Sequence, residues 1–251
     1  MDRTTCHRLA ALNRCFYHRC AVEFAATRQA PWPGWRRLLT HLRAPAQGRV
    51  LHVLDVGCGN GRFGAFCAAV LPFPVAYTGV DSSSAMLKLA ELNLSGLARR
   101  SLLRRELAGQ APAPLPAGPF DLVVLLGILH HLPGAATRRE VLRAAAQRLA
   151  PGGVLALAVW RFALHRRFGD KVVPWDDVNR RLRRPFDLHC LEEGDVLLSF
   201  GESRRAVRYC HAVSEAELHG WCDLLPPVVD DYLADGATGD LNRYLVVGGA
   251  S

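Results

Sequence analysis

Lysine is nearly absent from this 251-residue chain. Lys88 and Lys171 are the two, and the other 29 of its 31 basic residues are arginine. Long hydrophobic runs are missing as well. A stretch such as Leu122 to Leu129 has eight residues, far short of the ~18 needed to cross a bilayer, so no membrane partner is expected. The opening MDRTTCHRLAALNRCFYHRC has no apolar h-region, so no secretory signal is expected either. None of the eight cysteines forms a C-x-x-C pair; free thiols fit better than a disulfide framework. Cys15, His18 and Cys20 at helical spacing gather no tetrahedral set, so no metal is expected. Internal repeats and low-complexity tracts are lacking, which excludes a solenoid. These absences point to a soluble protein of the cytoplasm, with the nucleus also open.

What the chain does hold is material for a core and a lopsided charge. Half of it is hydrophobic, 22% is charged, and the mean hydropathy is +0.06, too apolar for a disordered segment. The formal charge is +8 with a pI near 9.4. Residues 1–50 carry +7, 51–160 carry +4, 161–184 carry +5 and 185–251 carry −8. Two basic blocks suit a polyanionic partner, although an arginine-rich genome composition would also produce them.

Apolar spacing predicts an N-terminal helix over 6–28, stopped by Pro31-Trp32-Pro33-Gly34, and a short helix from Trp35 to Leu42. Strands and helices then alternate. Strands are expected at Val50–Val56, Ala76–Val80, Ser101–Leu107, Phe120–Leu126 and Val154–Trp160. Helices are expected at Arg62–Leu71, from the Ser82-Ser83-Ser84 cap to Leu97, and at Thr137–Leu149. Residues 108–119, with four prolines, read as a loop and Pro151-Gly152-Gly153 as a turn. Such an order implies an α/β fold, a doubly wound, mostly parallel seven-stranded sheet. Residues 161–213 break the rhythm and end in a strand at Ala206–Val213. A helix capped by Ser214 and Glu217 and strands at Val228–Leu233 and Tyr244–Val247 complete the chain.

The segment Val53-Leu-Asp-Val-Gly-Cys-Gly-Asn-Gly61 follows a strand and opens a helix. Gly57, Gly59 and Gly61 let the backbone turn tightly and a ligand approach closely. Asp81 follows Gly61 by 20 residues, at the end of the next strand, where a carboxylate takes ribose hydroxyls. The spacing G-x-G-x-G departs from the dinucleotide pattern and argues against NAD. With GVDSS, FDLVVLLGILHHL and LAPGGVLAL in order behind it, LDVGCGNGRF resembles the class I methyltransferases that use S-adenosylmethionine (SAM), over roughly residues 50–160. The resemblance implies SAM as cofactor. It implies that Asp55 orients the methionine ammonium and that Gly57, Cys58, Gly59, Asn60 and Gly61 pass beneath the methionine. Asp81 would hold the ribose, Ser82 and Met86 the adenine, with Glu106 and Leu107 also at the adenine. Gly127 and His130 would face the sulfonium, while His131 is expected to pack rather than act as a base.

The flanks resemble a narrower group. Tyr17, Phe24 and Thr27-Arg28-Gln-Ala-Pro-Trp-Pro-Gly34, with Arg208-Tyr-Cys-His211 before the helix at Ser214, resemble the wobble-uridine tRNA carboxymethyluridine methyltransferases. That resemblance implies tRNA as partner and allows a small zinc-binding activator subunit. Arg28 and Arg208 are candidates to hold a carboxylate or phosphate, with His211 ranked lower, and Tyr17, Tyr209 and Trp175 to stack on a base. Trp32 and Trp35 read better as packing residues. A single methyltransferase domain over 1–251 is expected: a helical cap at 1–48, the SAM-binding core at 49–160, a substrate-side insertion at 161–213, and the last helix and strands at 214–251. A small-molecule O-, N- or C-methyltransferase, and a non-catalytic partner subunit of the same fold, are the alternatives.

Overall fold

The computed structural model describes residues 1–109, 113–201 and 206–248. Residues 110–112 of the expected loop and 202–205 of the expected insertion lie outside the described part. Three helices come first: α1 (Arg3–Arg19), α2 (Ala21–Ala26) and α3 (Gly34–Leu39). The single helix expected over 6–28 is thus broken at Cys20. The break folds Phe24 back onto Phe16, edge to face at 6.0 Å, so both rings bury with Met86 where one straight stripe would have diverged from it.

The core strands are β1 (Leu51–Val56), β2 (Val75–Asp81), β3 (Arg99–Arg104), β4 (Phe120–Leu126), β5 (Leu149–Trp160), β9 (Val228–Ala234) and β10 (Asn242–Gly248). They form one sheet in the order β3-β2-β1-β4-β5-β10-β9. β1 to β5 are parallel, and β10 runs antiparallel to both β5 and β9. Alternation decides which helix each side chain meets. Leu51, Val53, Leu122, Val124 and Ala156 pack with α3 and α4 (Arg62–Val70). Leu54, Val56, Val123, Leu125 and Leu157 pack with α6 (Ala135–Ala146) and α9 (Glu215–Cys222). Central strands buried on both faces are why β1, β4 and β5 read as continuous apolar runs. α5 (Ser84–Asn93) is capped by Ser83, whose Oγ accepts from the Met86 N–H.

Pro151-Gly152-Gly153 is no separate turn but a bulge inside β5, where the register against β4 shifts. Beyond β5 come α7 (Arg166–Gly169), β6 (Val172–Val173), α8 (Trp175–Asn179), β7 (Asp195–Phe200) and β8 (Ala206–His211). β6, β7 and β8 form a second, antiparallel sheet that the weak periodicity of 161–213 did not reveal. Asn13 of α1 locks this sheet to the core. Its Oδ1 accepts from the Tyr209 N–H at 2.8 Å, and its Nδ2 donates to the carbonyls of Tyr209 and His131, each at 3.1 Å.

Candidate active site

A cavity of about 570 Å³ opens where β1, β2 and β4 end, roofed by α1, α2 and the second sheet. Its cofactor-side wall starts at the glycine turn. Gly57 sits at φ +80°, and a Cβ there would meet the Ile128 side chain at 2.6 Å, so no other residue leaves this backbone bare. Asp81 organises the turn: Oδ2 accepts from the Gly59 N–H at 2.9 Å and Oδ1 from the Ser83 N–H at 2.8 Å. Each oxygen keeps a lone pair for a diol. Asp55 is 3% exposed and accepts from the Tyr77 hydroxyl at 2.7 Å. Burial pushes its pKa up to about 7, and burial also raises that of Asp81.

Asp55, Gly57, Cys58, Gly59, Asn60, Asp81, Ser82, Met86, Glu106, Leu107, Gly127, Arg28, His130 and Arg208 all line this cavity. Gly61 does not. At φ +74° its Cβ would strike Leu94 at 2.9 Å, so it serves the packing of α4 on α5 rather than the ligand. Glu106 is engaged by Arg14 of α1 in an ion pair, which draws α1 across that end. A bare glycine turn, a diol-binding carboxylate and a buried acid for an ammonium fit SAM.

The other half of the cavity holds cations and rings. Arg208 is 5% exposed, and its guanidinium lies 5.2–5.9 Å from the ring centres of Phe24, Phe16, Trp160 and Phe200. Its Nε and Nη1 have no hydrogen-bond partner among the described residues. Arg28 stacks on Phe24 at 3.4 Å and donates to Thr27 Oγ1 at 2.7 Å. Burial pulls its pKa down to about 10, with repulsion from Arg208 and Arg62 adding to this. No ion pair to Arg28 or Arg208 forms among the described residues. A buried cation among ring faces, with no acid beside it among the described residues, is left for an anion to complete.

His130 is buried, with Nδ1 unpartnered among the described residues. Burial, then the neighbouring His131 and arginines, holds its pKa well below the usual histidine value. His131 is a structural hub, as expected: its Nδ1 meets the Tyr209 carbonyl at 3.1 Å and its Nε2 the Tyr17 hydroxyl at 2.7 Å.

Two of the three expected stacking residues, Tyr209 and Trp175, are corrected. Tyr209 is fully buried, its hydroxyl donating to Asp195 at 2.7 Å. Trp175 packs on Phe186 and donates to the Asp195 carbonyl. Tyr17, the third, lines the cavity, and its ring is met by Phe16, Phe24 and His131 in edge contacts. Phe24, Trp160, Phe168 and Phe200 line the cavity too, and so does Trp32, which was expected only to pack. Trp160 ends β5, and strand ends on this side of an open sheet face the crevice, so that position carried a usable signal; Phe168 and Phe200 carried none. Trp35, at 2% exposure, packs with Phe63 and Phe66 as expected.

Residues 54–155 match the methyltransferase domain family. With the sheet order and the glycine turn, this makes the core a class I SAM-dependent methyltransferase domain. Among particular relatives, the chain is 28% identical over 145 residues to mouse tRNA (carboxymethyluridine(34)-5-O)-methyltransferase ALKBH8, covering 57% of this chain and 19% of that protein. It is 34% identical over 110 residues to the ubiquinone biosynthesis O-methyltransferase of Paracidovorax citrulli, covering 44% and 43%. The chain thus spans less than half the length of either relative. A solved SAM-dependent methyltransferase from Methanosarcina mazei superposes with a TM-score of 0.61 at 19% identity, covering 87% of this chain and 97% of that one. DhpI, solved in a complex with SAM and HEP, gives 0.61 at 18% identity over 95% and 96%. No helix among the described residues is long and apolar enough to cross a membrane.

Proposed function

We propose that the chain is a SAM-dependent O-methyltransferase whose acceptor is a carboxylate, carried by a modified wobble uridine of tRNA. The observation that carries this reading is the guanidinium of Arg208, buried among four rings without an acidic partner among the described residues. Asp55, Gly57, Gly59 and Asp81 would hold SAM, which supplies an electrophilic methyl on a sulfonium. A carboxylate is ionised at neutral pH and needs no base to become a nucleophile. The catalytic task is then to strip it of water and aim one oxygen. Arg208 and Arg28 do both, because an anion that enters replaces its hydration with charge-assisted hydrogen bonds. His130, kept neutral, shapes the site without moving a proton. Similarity to ALKBH8 and the basic N-terminal block support the RNA. Similarity to a ubiquinone biosynthesis O-methyltransferase favours a small-molecule oxygen acceptor instead.

Nucleoside mass spectrometry on tRNA from cells lacking this chain tests the reading. The free carboxymethyl nucleoside should accumulate and its methyl ester disappear, and adding protein and SAM should restore the ester. An unchanged nucleoside profile would overturn the tRNA substrate. Arg208→Met should leave the SAM Kd within about twofold and lower kcat/KM at least ~10-fold, or about 1.4 kcal/mol of transition-state stabilisation. Full turnover in that variant would remove the carboxylate from the proposal.

A further inference from the structure

The hydrogen bonds around His131 fix a proton that the reaction can use. A backbone carbonyl only accepts, so the ring nitrogen facing the Tyr209 carbonyl, Nδ1, carries the hydrogen. Burial, with Arg208 adding repulsion, keeps His131 neutral down to about pH 3, so Nε2 is bare. The Tyr17 hydroxyl, 2.7 Å away, must therefore donate to it. Burial in turn raises the Tyr17 pKa to about 12, so this hydrogen stays on the oxygen. With its only hydrogen committed, Tyr17 Oη can only accept from anything else in the cavity.

We propose that Tyr17 is a cofactor-contact residue whose oxygen lone pairs receive the polarised methyl hydrogens of SAM, with His131 as the positioning residue that fixes their direction. Tyr17 lines the cavity at the seam between its halves. Arg28, Arg208 and Asp81 line the same cavity. The SAM ribose has Asp81 and the ammonium has Asp55. The electron-poor group left at the seam is the sulfonium methyl, whose C–H bonds seek an oxygen acceptor. The same lone pairs repel an acceptor carboxylate and so direct it toward the two arginines. This inference rests on the reading of the cavity as a SAM site, not on the identity of the acceptor.

The test compares SAM with S-adenosylhomocysteine, which lacks the methyl and the positive charge. By titration calorimetry, Tyr17→Phe should weaken SAM about fivefold, the scale of one to two weak hydrogen bonds. The homocysteine product should change less than about twofold, which also shows that the variant is folded. With SAM labelled by 13C at the methyl, the bound methyl proton resonance should lie further downfield in the wild type than in Tyr17→Phe, whose ring is the same. Equal loss of both ligands, no loss of either, or an unshifted methyl resonance would make the Tyr17–His131 pair purely structural. Wild-type protein that binds neither ligand would overturn the SAM reading itself. Normal SAM selectivity changes with no esterification of acids would overturn only the acceptor.

Discussion

Asp55 and Arg208 show what single residues contribute and how differently they reveal it. Asp55 ends a strand and opens a glycine turn, so its place in the cavity follows from local sequence. Its ionisation does not. Burial lifts its pKa to about 7 against the opposing hydrogen bond from Tyr77, so near neutrality it is only partly charged. An approaching ammonium favours the carboxylate form. Because the pKa is raised, the group is neutral at acid pH and gains its charge as pH rises. SAM affinity should therefore increase between about pH 6 and 8, then fall as the ligand's own α-amino group, near 8, loses its proton. In Asp55→Asn the acid limb of that profile should vanish and the maximum affinity drop. A wild-type affinity flat across this range would show that Asp55 does not meet the ammonium. Arg208 was visible as an arginine near a suggestive strand, but its ring box draws on α1, α2, β5 and β7, which no local pattern joins.

At the scale of elements, the join between α2 and α3 matters most, because Arg28 and Trp32 sit on it. Asp235, at φ 71° and 3% exposure, pins its far end. Oδ1 accepts from the Gly34 N–H at 2.9 Å, while Oδ2 accepts from Asn242 Nδ2 at 2.7 Å and the Tyr244 hydroxyl at 2.6 Å. Strain in a non-glycine residue survives only where the surroundings over-determine it. Asp235→Asn keeps the backbone conformation, which asparagine tolerates, but must turn an amide against one of the three donors. Loss of one or two buried hydrogen bonds should cost about 1–3 kcal/mol, and the SAM dissociation rate should rise as the turn loosens. Stopped-flow release of SAM and a melting curve would check both, and unchanged rates would separate the turn from the site. The Pro-Trp-Pro-Gly stop was legible in advance. That it is clamped by a residue 201 positions later was not, because Asp235 lies in an ordinary acidic stretch.

Across the whole molecule, a buried ionic network couples the second sheet to the core. Arg138 of α6 is fully buried; it holds Glu217 and Glu192 at 2.7 Å each and the Leu132 carbonyl at 3.0 Å. His211 of β8 bridges Asp195 at 2.7 Å and Glu217 at 2.8 Å. Burial opposes its charge, but these two carboxylates outweigh burial and raise its pKa. A raised histidine pKa stabilises the fold fully below the unfolded value of ~6.5, and this stability is lost as pH rises through the folded value. Wild-type melting temperature should thus decline through the alkaline side of neutrality, and His211→Asn should be less stable at pH 6 with a flatter profile. Parallel profiles for the two proteins would deny His211 its charge. Arg138→Ala removes the guanidinium that Glu192 and Glu217 share and should cost ~3–5 kcal/mol, read by denaturant unfolding. An effect below 1 kcal/mol would show that water replaces the guanidinium.

By itself, the sequence determined the layered sheet, the glycine turn and the two carboxylates Asp55 and Asp81, because each depends on spacing within a few dozen residues. Periodicity of two or 3.6 and a turn that demands positive φ are local properties of the backbone. Only the tertiary structure decided what the rings and cations do. It turned Tyr209 and Trp175 inward, freed Trp160 and Phe200 for the cavity, moved Gly61 from ligand to packing, and left Arg208 buried and without an acidic partner among the described residues. Whether a polar side chain is satisfied depends on every element packed around it, and those neighbours come from sequence positions nearly two hundred residues apart.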